Sequence, residues 1–543
     1  KFDIIKGLDF KTTFSPSYTN YRQGFFGGYI DPRTGAAYDD NTYATDDDGV
    51  VANEANLTIN RGFSWTWDNI INYNTTIADD HNISLMALFS TEAANTEKTY
   101  WAATGVMENT DWWNLGTGTY NADDSYTSYS ENSMVSYAFR ANYGYKSRYL
   151  LTATIRRDAS SKFSKDNRWG TFPSVAAAWR ITEEPFMQKV SWLSNLKLRL
   201  SYGVTGNNKG IGDFATQQTV SGPVYYPFGD VYNQGFYASS IVNKDLKWET
   251  STEYNAGLDF GFIGGRINGS IDLYQKTSKD LLYSVALPLE SGGGTMVTNI
   301  GSVRNTGIEV SLTTVNIENK DWRWETTFTF AHNKNKVREI NGTGDKVVSS
   351  GVTTGSLFVG SSVNNVYAYE MGGIVSDRDM IVPDNQASRN AGLTPGSTMK
   401  EYDYYFQAYK LKEGQPWIVD QNGDGNFDEN DRVITSMDPD LTASLSSNLS
   451  WKNWDFSFNL YAKVGYKVYS NFLSEYWNIS DRGRMRLNGD WYIPAGTLID
   501  CDGVNDDGGN FSVLSIRVYQ RRVVKNFDFV IAAQFVVNKS QKF

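Results

Sequence analysis

The chain has 543 residues and a formal net charge of -11, and this acidic balance argues against nucleic acid as a partner. Aromatic residues make up 15% of the sequence, with 34 Tyr, 29 Phe and 16 Trp, yet the mean hydropathy is only -0.46. Because no run of about 18 apolar residues occurs, an α-helical membrane protein is excluded.

Few residues are available for metal or redox chemistry. Cys501 is the single cysteine, so an internal disulfide and a thiolate metal cluster are excluded. His81 and His332 are the only histidines, which excludes a multi-histidine site. The sequence begins at Lys1 without a Met or a signal peptide, and we expect a processed or partial product.

Apolar and polar residues alternate along most of the chain, which is typical of strands with one dry and one wet face. In the first clear run Tyr149, Leu151 and Ile155 share one face, and Thr152 and Thr154 lie on the other. Roughly fifteen or sixteen segments fit this pattern. The clearest runs are 149–156, 196–205, 266–273, 322–330 and 454–460.

These runs predict strands about ten residues long, which is the length of a tilted strand that crosses a bilayer. Their apolar faces often begin or end in Trp or Tyr, as membrane-interface girdles do. Short connections such as 146–148 are accompanied by long polar stretches at 15–55, 206–245 and 376–440. The pattern favours an all-β, transmembrane antiparallel β-barrel with long extracellular loops over a soluble sandwich or propeller, which also alternates.

One amphipathic stretch, 183–193, predicts a short helix inside a turn. The stretch 24–49 is rich in Gly, Asp, Asn and Tyr, and we expect it to be an exposed outer loop with a functional surface.

An acidic loop at 420–431 has the spacing of a calcium loop, with oxygen ligands at positions one, three and five and Gly425 at position six. Position twelve is Asp rather than the bidentate Glu of a full EF-hand, which predicts lower affinity for Ca²⁺. The alternative is an Asx-rich surface turn without metal. The candidate ligands are Asp420, Asn422, Asp424, Asn426 (through its carbonyl), Asp428 and Asp431.

Aromatic residues in the connections are candidates for stacking on sugar rings or packing against peptide side chains. The alternative is that each of them anchors its own loop. The substrate candidates are Trp101, Trp112, Trp113, Tyr225 and Tyr226, and Phe25, Phe26 and Tyr29 share their character.

A basic cluster follows the strand at 149–156 and could favour acidic substrates, or could be a solvated loop balanced by Asp158 and Asp166. Its members are Arg156, Arg157, Lys162, Lys165 and Arg168.

No nucleophile elbow, phosphate-binding loop or histidine-centred arrangement is present in the sequence, so we predict no enzymatic activity.

Several blocks, in order along the chain, resemble the SusC/RagA-like TonB-dependent outer-membrane transporters. The most specific is RYLLTATIRRDASSKFSKDNRWGTFPSVAAAWRITEEPFM at 148–187, and the opening IKGLDFKTTFSPSY at 5–18 resembles a mid-barrel strand. Further blocks lie at 193–217, 246–282, 299–317 and 419–434.

The resemblance implies a barrel of about 22 strands with a plugged lumen, in the outer membrane of a Bacteroidota-type Gram-negative bacterium. It implies three partners besides outer-membrane lipid: a SusD-like surface lipoprotein that acts as a lid, TonB-ExbB-ExbD acting through the plug, and an oligosaccharide or oligopeptide substrate. The alternative is a non-transporting structural or adhesive outer-membrane β protein, a degenerate importer. An outer-membrane barrel enzyme is a third and less favoured hypothesis.

Two departures from the family pattern bear on domain organisation. The plug, the TonB box and roughly the first third of the barrel would lie before Lys1, so we expect 1–543 to be the C-terminal portion of the barrel. The tail at 490–543 matches poorly, but it has strand character and ends in the aromatic Phe543.

Overall fold

The computed structural model describes residues 2–27, 53–107, 110–229, 231–238, 241–286, 295–340, 346–347, 356–469 and 524–539. The outer loop with Tyr29, and most of the 490–543 tail with Cys501, lie outside these residues. None of the described helices has the length and apolar character needed to cross a membrane.

Strands dominate the described residues. The first fourteen are β1 (Phe2–Ile5), β2 (Leu8–Gly27), β3 (Glu54–Ile77), β4 (His81–Thr104), β5 (Thr119–Tyr145), β6 (Tyr149–Ser160), β7 (Trp169–Arg180), β8 (Leu193–Asn207), β9 (Val220–Phe228), β10 (Val231–Ala238), β11 (Glu249–Phe262), β12 (Ile267–Ala286), β13 (Thr295–Glu318) and β14 (Trp322–Glu339). They are followed by β15 (Lys346–Val347), β16 (Leu357–Phe358), β17 (Asn365–Tyr369), β18 (Met371–Ile374), β19 (Asp379–Ile381), α1 (Gln386–Asn390), β20 (Thr398–Lys400), α2 (Glu401–Tyr409), β21 (Pro416–Ile418), β22 (Arg432–Ser436), β23 (Leu441–Trp451), β24 (Trp454–Tyr469) and β25 (Val524–Lys539).

Fifteen of these strands are hydrogen-bonded in one sheet whose order follows the chain: β1 to β8, β11 to β14, then β23 to β25. The pairs from β1 to β8 and from β13 to β25 are antiparallel. The other strands form small two-stranded sheets within two insertions. These sheets are β9–β10, β15–β16, β17–β22, β18–β21 and β19–β20.

The chain divides into two compact units. The first comprises Lys1–Lys189, Lys197–Ala256 and Ser278–Ile300, and the second comprises Val190–Leu196, Gly257–Thr277 and Gly301–Phe543.

In the first unit, strand register separates the residues into an apolar and a polar face. Ile155 of β6 lies opposite Phe139 of β5 and Pro173 of β7, and Phe139 in turn lies opposite Ala87 of β4. Side chains on the apolar face are large and unusually exposed for their type, which marks a surface that lipid can cover. Six of them are 43–52% exposed: Trp67, Ile71, Phe139, Leu151, Ile155 and Leu200. The predicted alternation in 149–156 is confirmed.

The polar face is held by hydrogen bonds between side chains of neighbouring strands. Asn72 donates to Asp9 at 3.1 Å, and Thr152 donates to Asn142 at 2.9 Å. These pairs satisfy groups that would otherwise be costly to desolvate. One sheet therefore presents a dry surface and a wet surface with opposite chemistry.

The predicted strand length of about ten residues is wrong for several strands. β3 and β4 each have 24 residues and β5 has 27. At about 3.3 Å per residue these strands are far longer than the bilayer requires, and they continue beyond it. Alternation of apolar residues is needed only where the sheet faces lipid, so the sequence pattern marks only that part. The 15–55 connection consequently begins with the second half of β2.

The insertion between β8 and β11 is attached to the β6–β7 hairpin by a small core. Trp248 packs against Phe163 and Phe172, with ring centroids 5.2 and 5.5 Å apart, and its Nε1 donates to the Arg168 carbonyl at 3.0 Å. Gly206 permits this packing because a Cβ there would lie 2.1 Å from the Phe172 ring. The core anchors the insertion that carries the β9–β10 hairpin.

The helix predicted at 183–193 is wrong. The chain instead forms two 3-10 turns, Ile181–Glu183 and Pro185–Met187, separated by extended Glu184. Pro185 disfavours the helical conformation for Glu184, so a helix cannot continue from 183 through 185. The extended backbone lets Glu184 accept hydrogen bonds from Tyr149 Oη at 2.6 Å and Trp179 Nε1 at 3.0 Å. These bonds, that of Tyr149 first, lower the pKa of Glu184 below its usual range.

In the second unit, residues 356–440 between β14 and β23 form a compact outer segment with its own core. Val375, Val382, Tyr404 and Tyr405 are buried together there. Glu401 at the start of α2 is 2% exposed and accepts hydrogen bonds from Ser376 N at 3.0 Å, Ser376 Oγ and Arg378 Nη2. The hydrogen bond to Glu401 raises the pKa of Arg378. The buried carboxylate thus ties α2 to the segment that follows β18.

Replacing Glu401 by Gln should loosen the outer segment, because a neutral amide loses the charge-assisted bonds to Ser376 and Arg378. We expect a cost of about 2–3 kcal/mol to local opening. Hydrogen–deuterium exchange should show faster exchange across 401–409 in Glu401→Gln than in the matched Glu429→Gln, whose carboxylate is exposed. Equal protection in the two variants contradicts this role.

Candidate functional site

Three predicted substrate aromatics lie on the apolar face of the sheet. In β4, Trp101 has the same parity as Phe89, and it lies opposite Leu57 of β3. Trp112 and Trp113, in the β4–β5 connection, stack with centroids 4.1 Å apart. Their placement on this face is set by their contacts with β2.

The β2 contact is a stack of a guanidinium on two indoles. Arg22 Cζ lies 5.1 Å from the Trp112 ring centroid and 5.3 Å from that of Trp113. A Cβ on Gly24 would lie 1.7 Å from the Trp112 ring, so only glycine leaves room for it. Because Phe14 of β2 pairs with Trp67, the even residues of β2 share the apolar face, and the Trp pair therefore covers its outer end.

Tyr225 and Tyr226 lie elsewhere, on the β9–β10 hairpin. They pair with Gln234 and Asn233 respectively, so successive tyrosines point to opposite faces of the hairpin. Tyr225 is 66% exposed, and the Tyr226 ring packs over Gly235. Four further exposed aromatics surround them: Phe228, Tyr232, Phe236 and Tyr237. A two-stranded hairpin with this much exposed aromatic surface is typical of an interaction site.

The candidate calcium loop is curved by its own hydrogen bonds. The two carboxylate oxygens of Asp420 accept from Gly423 N at 2.7 Å and Gly425 N at 2.8 Å. Gly425 has φ +83°, and a Cβ there would lie 2.8 Å from Ala387 N, so the turn requires glycine. Asp424 accepts from Asn426 N and from Asn422, and these bonds lower its pKa.

The last two candidate ligands cap a 3-10 turn, Glu429–Asp431. Buried Asp431 accepts from Gln421 N and Asp428 N, both at 2.9 Å, while Asp428 accepts from Asn430 N at 2.8 Å. Among the described residues, no group of three or more His, Cys, Asp or Glu side chains is arranged to hold a metal ion. Calcium binding therefore stays a prediction that rests on residue spacing.

The basic cluster is not one site. Arg156 bonds Asp158 at 2.8 Å on the polar face, and Lys162 bonds Asp213 at 3.1 Å. Arg157 points to the apolar face, with its Cζ 5.0 Å from the Trp169 ring centroid. The structure thus separates side chains that are adjacent in sequence.

On the polar face, a concavity of about 940 Å³ lies at the end of β2 to β6 that carries the short turns. Amide and hydroxyl groups contribute to its wall, including Asn74, Asn82, Ser84, Asn142 and Thr152. Such groups can donate hydrogen bonds to a polar solute and accept hydrogen bonds from it.

Comparison with known proteins supports this architecture. Residues 4–395 match the family model described as TonB dependent receptor-like, beta-barrel. The TonB-dependent receptor SusC of Bacteroides thetaiotaomicron is 38% identical over 375 residues, which are 66% of this chain and 34% of that protein. TonB-dependent receptor P39 of Formosa agariphila is 31% identical over 560 residues, covering 98% of this chain and 50% of the relative.

Among solved structures, the RagAB peptide transporter is similar in fold, with a TM-score of 0.69 at 23% identity. The match covers 88% of this chain and 48% of that chain. This chain therefore spans about half, or less, of the length of the relatives it matches. The family model covers most of the chain, and the chain belongs to the SusC/RagA-like TonB-dependent receptors, whose fold is a transmembrane antiparallel β-barrel.

Proposed function

We propose that the protein containing this chain imports oligosaccharides or oligopeptides across the outer membrane of a Bacteroidota-type bacterium, together with a SusD-like lid lipoprotein. The observation that carries the proposal is a sheet with one lipid-compatible face and one hydrogen-bonding face, in a chain of this family. The name of the RagAB peptide transporter supports peptide cargo, and the oligosaccharide alternative rests on the sequence resemblance.

In this proposal the chain contributes binding and a path, without covalent chemistry. The apolar face keeps the sheet in lipid, while amide and hydroxyl groups on the polar face exchange hydrogen bonds with a passing solute. The exposed hairpin and the outer segment would make the first contact with the oligomer. Energy would come from TonB-ExbB-ExbD through a plug, whose remodelling shifts the population from captured to released cargo.

Import is tested by extracting the full-length receptor gently from its native outer membrane and identifying bound partners and oligomers by mass spectrometry. We expect a lid lipoprotein and an oligomer, and we expect uptake of that oligomer to stop when tonB is deleted. Uptake that is unchanged without TonB contradicts the proposal.

The same oligomer tests the aromatic candidates. Tyr225→Ala with Tyr226→Ala removes two exposed rings, and we expect about tenfold weaker binding. The matched control is Trp112→Ala with Trp113→Ala, in which the lost rings cover the apolar face at Arg22 and Gly24. An effect confined to the Trp pair would support the sequence-based choice of Trp112 and Trp113 and remove the hairpin tyrosines from the binding site. Titration calorimetry on the purified receptor gives both affinities.

We also propose that the 420–431 loop binds Ca²⁺. The ligand spacing supports this, and a carboxylate offers about four lone-pair sites, so two N–H bonds on Asp420 leave room for a metal.

Calcium should raise the melting temperature of the receptor and slow amide exchange across 420–431, with a Kd on the order of 10⁻⁴–10⁻³ M. Asp424→Asn should weaken the effect by removing one charged ligand, whereas Mg²⁺ should not reproduce it. If Ca²⁺ changes neither the melting temperature nor the amide exchange rate of the loop, the loop is an Asx-rich turn without metal.

A further inference from the structure

The residues of the β6–β7 hairpin locate the two ends of the apolar band on the apolar face of the first unit. At the short-turn end Tyr149 lies opposite Trp179, and at the other end Ala159 lies opposite Trp169. Between them the face carries apolar residues: Leu151, Ala153, Ile155, Pro173, Val175 and Ala177. Arg157 is the charged side chain that β6 presents on this face.

Arg157 lies at the far boundary of the apolar band. It follows Tyr149 by eight residues along the strand. At about 3.3 Å per residue and a tilt of about 45° the two are separated by roughly 19 Å along the membrane normal, close to the ~25 Å band of a membrane barrel. The turns at 78–80 and 146–148 are short, so their end faces the periplasm and Arg157 faces the outer leaflet.

A row of aromatic rings leads to Arg157 at this boundary. Centroids of Trp67 and Phe89 are 6.4 Å apart, those of Phe89 and Tyr137 are 5.4 Å apart, and those of Tyr137 and Trp169 are 6.1 Å apart. Arg157 Cζ lies 5.0 Å from the Trp169 centroid. Such a row is typical of rings at the headgroup level, and stacking holds the guanidinium against it.

At the opposite boundary, two basic side chains have carboxylate partners. Lys146 pairs with Asp80 at 3.5 Å and Arg148 with Glu184 at 3.6 Å. Arg156, next to Arg157 but on the polar face, pairs with Asp158. In the part of the chain that the structure describes, Arg157 has no carboxylate within ion-pair distance.

We propose that Arg157, stacked on Trp169, binds a phosphate group of an anionic glycolipid in the outer leaflet. The guanidinium can donate two parallel N–H bonds to phosphate oxygens while its face remains on the indole. The lipid chains would pack on the apolar residues below it, such as Ile155 and Val175. This site is separate from the proposed import function and does not depend on it.

The test compares binding of labelled lipid A, phosphorylated or fully dephosphorylated, to the full-length receptor in phosphatidylcholine nanodiscs. The wild-type receptor should bind the phosphorylated form about fivefold more tightly, and the preference should fall as salt is added. Arg157→Gln should abolish the preference, and Arg157→Lys should keep part of it because it retains the charge but not the planar fork.

The matched control is Lys146→Gln, which removes a cation that also lies over an aromatic ring, that of Tyr145, but at the periplasmic boundary. It should leave the preference unchanged, and heat-modifiable gel mobility shows that each variant is folded. An equal preference in Arg157→Gln and wild type overturns the proposal. Displacement of phosphorylated lipid A by millimolar inorganic phosphate also overturns it, since that would indicate a site for free phosphate.

Discussion

A peptide group in hydrocarbon finds no water, so every strand that crosses a bilayer must direct its N–H and C=O groups to neighbouring strands. This constraint explains why strand order in the sheet follows the chain and why antiparallel neighbours are joined by turns as short as 146–148. Once the backbone groups are used in this way, side-chain parity alone decides what faces lipid. Thr152 and Ile155 belong to one strand, yet one bonds Asn142 on the polar face and the other is exposed on the apolar face.

Both boundaries of the apolar band contain aromatic rings and a basic side chain, but the basic side chains have different partners. At the short-turn end, Glu184 accepts hydrogen bonds from the aromatic residues Tyr149 and Trp179. It also forms an ion pair with Arg148. At the outer end, Trp169 carries Arg157. The first boundary is satisfied within the protein, whereas at the second the Arg157 guanidinium stacks on an indole and has no carboxylate partner among the described residues. Anchoring at both levels fixes the height of the sheet in the membrane, which in turn sets how far the long strands project.

In the proposed import function, the two insertions are the recognition elements. β3, β4 and β5 continue well past the apolar band. The insertion before β11 is anchored through Trp248, and the outer segment is tied together by Glu401. In the proposed import function, rigid attachment of this kind would lower the entropy lost when a mobile oligomer binds.

The alternation of apolar and polar residues could be predicted from the sequence, because the side chain of each strand residue is apolar where it faces lipid and polar where it faces water. The opposite orientations of Arg156 and Arg157 could also have been predicted, since adjacent strand residues point to opposite faces. The placement of Trp112 and Trp113 could not, because it depends on Gly24, a residue distant in sequence that leaves room for an indole. The core of 356–440 was equally hidden, since Tyr404 and Tyr405 lie in a polar stretch and become buried only through tertiary packing. The helix expected at 183–193 failed on a local rule, the effect of Pro185 on Glu184.

The assignment of faces is tested most directly by cysteine scanning along β6 in a Cys501→Ser background, with a water-soluble thiol reagent and a lipid-borne quencher. We expect lipid quenching and slow reaction at the apolar positions, Leu151→Cys, Ala153→Cys and Ile155→Cys. We expect fast reaction and no quenching at Leu150→Cys, Thr152→Cys and Thr154→Cys. Reactivity that does not alternate along these six positions, or that alternates in the opposite sense, would contradict the assignment of faces.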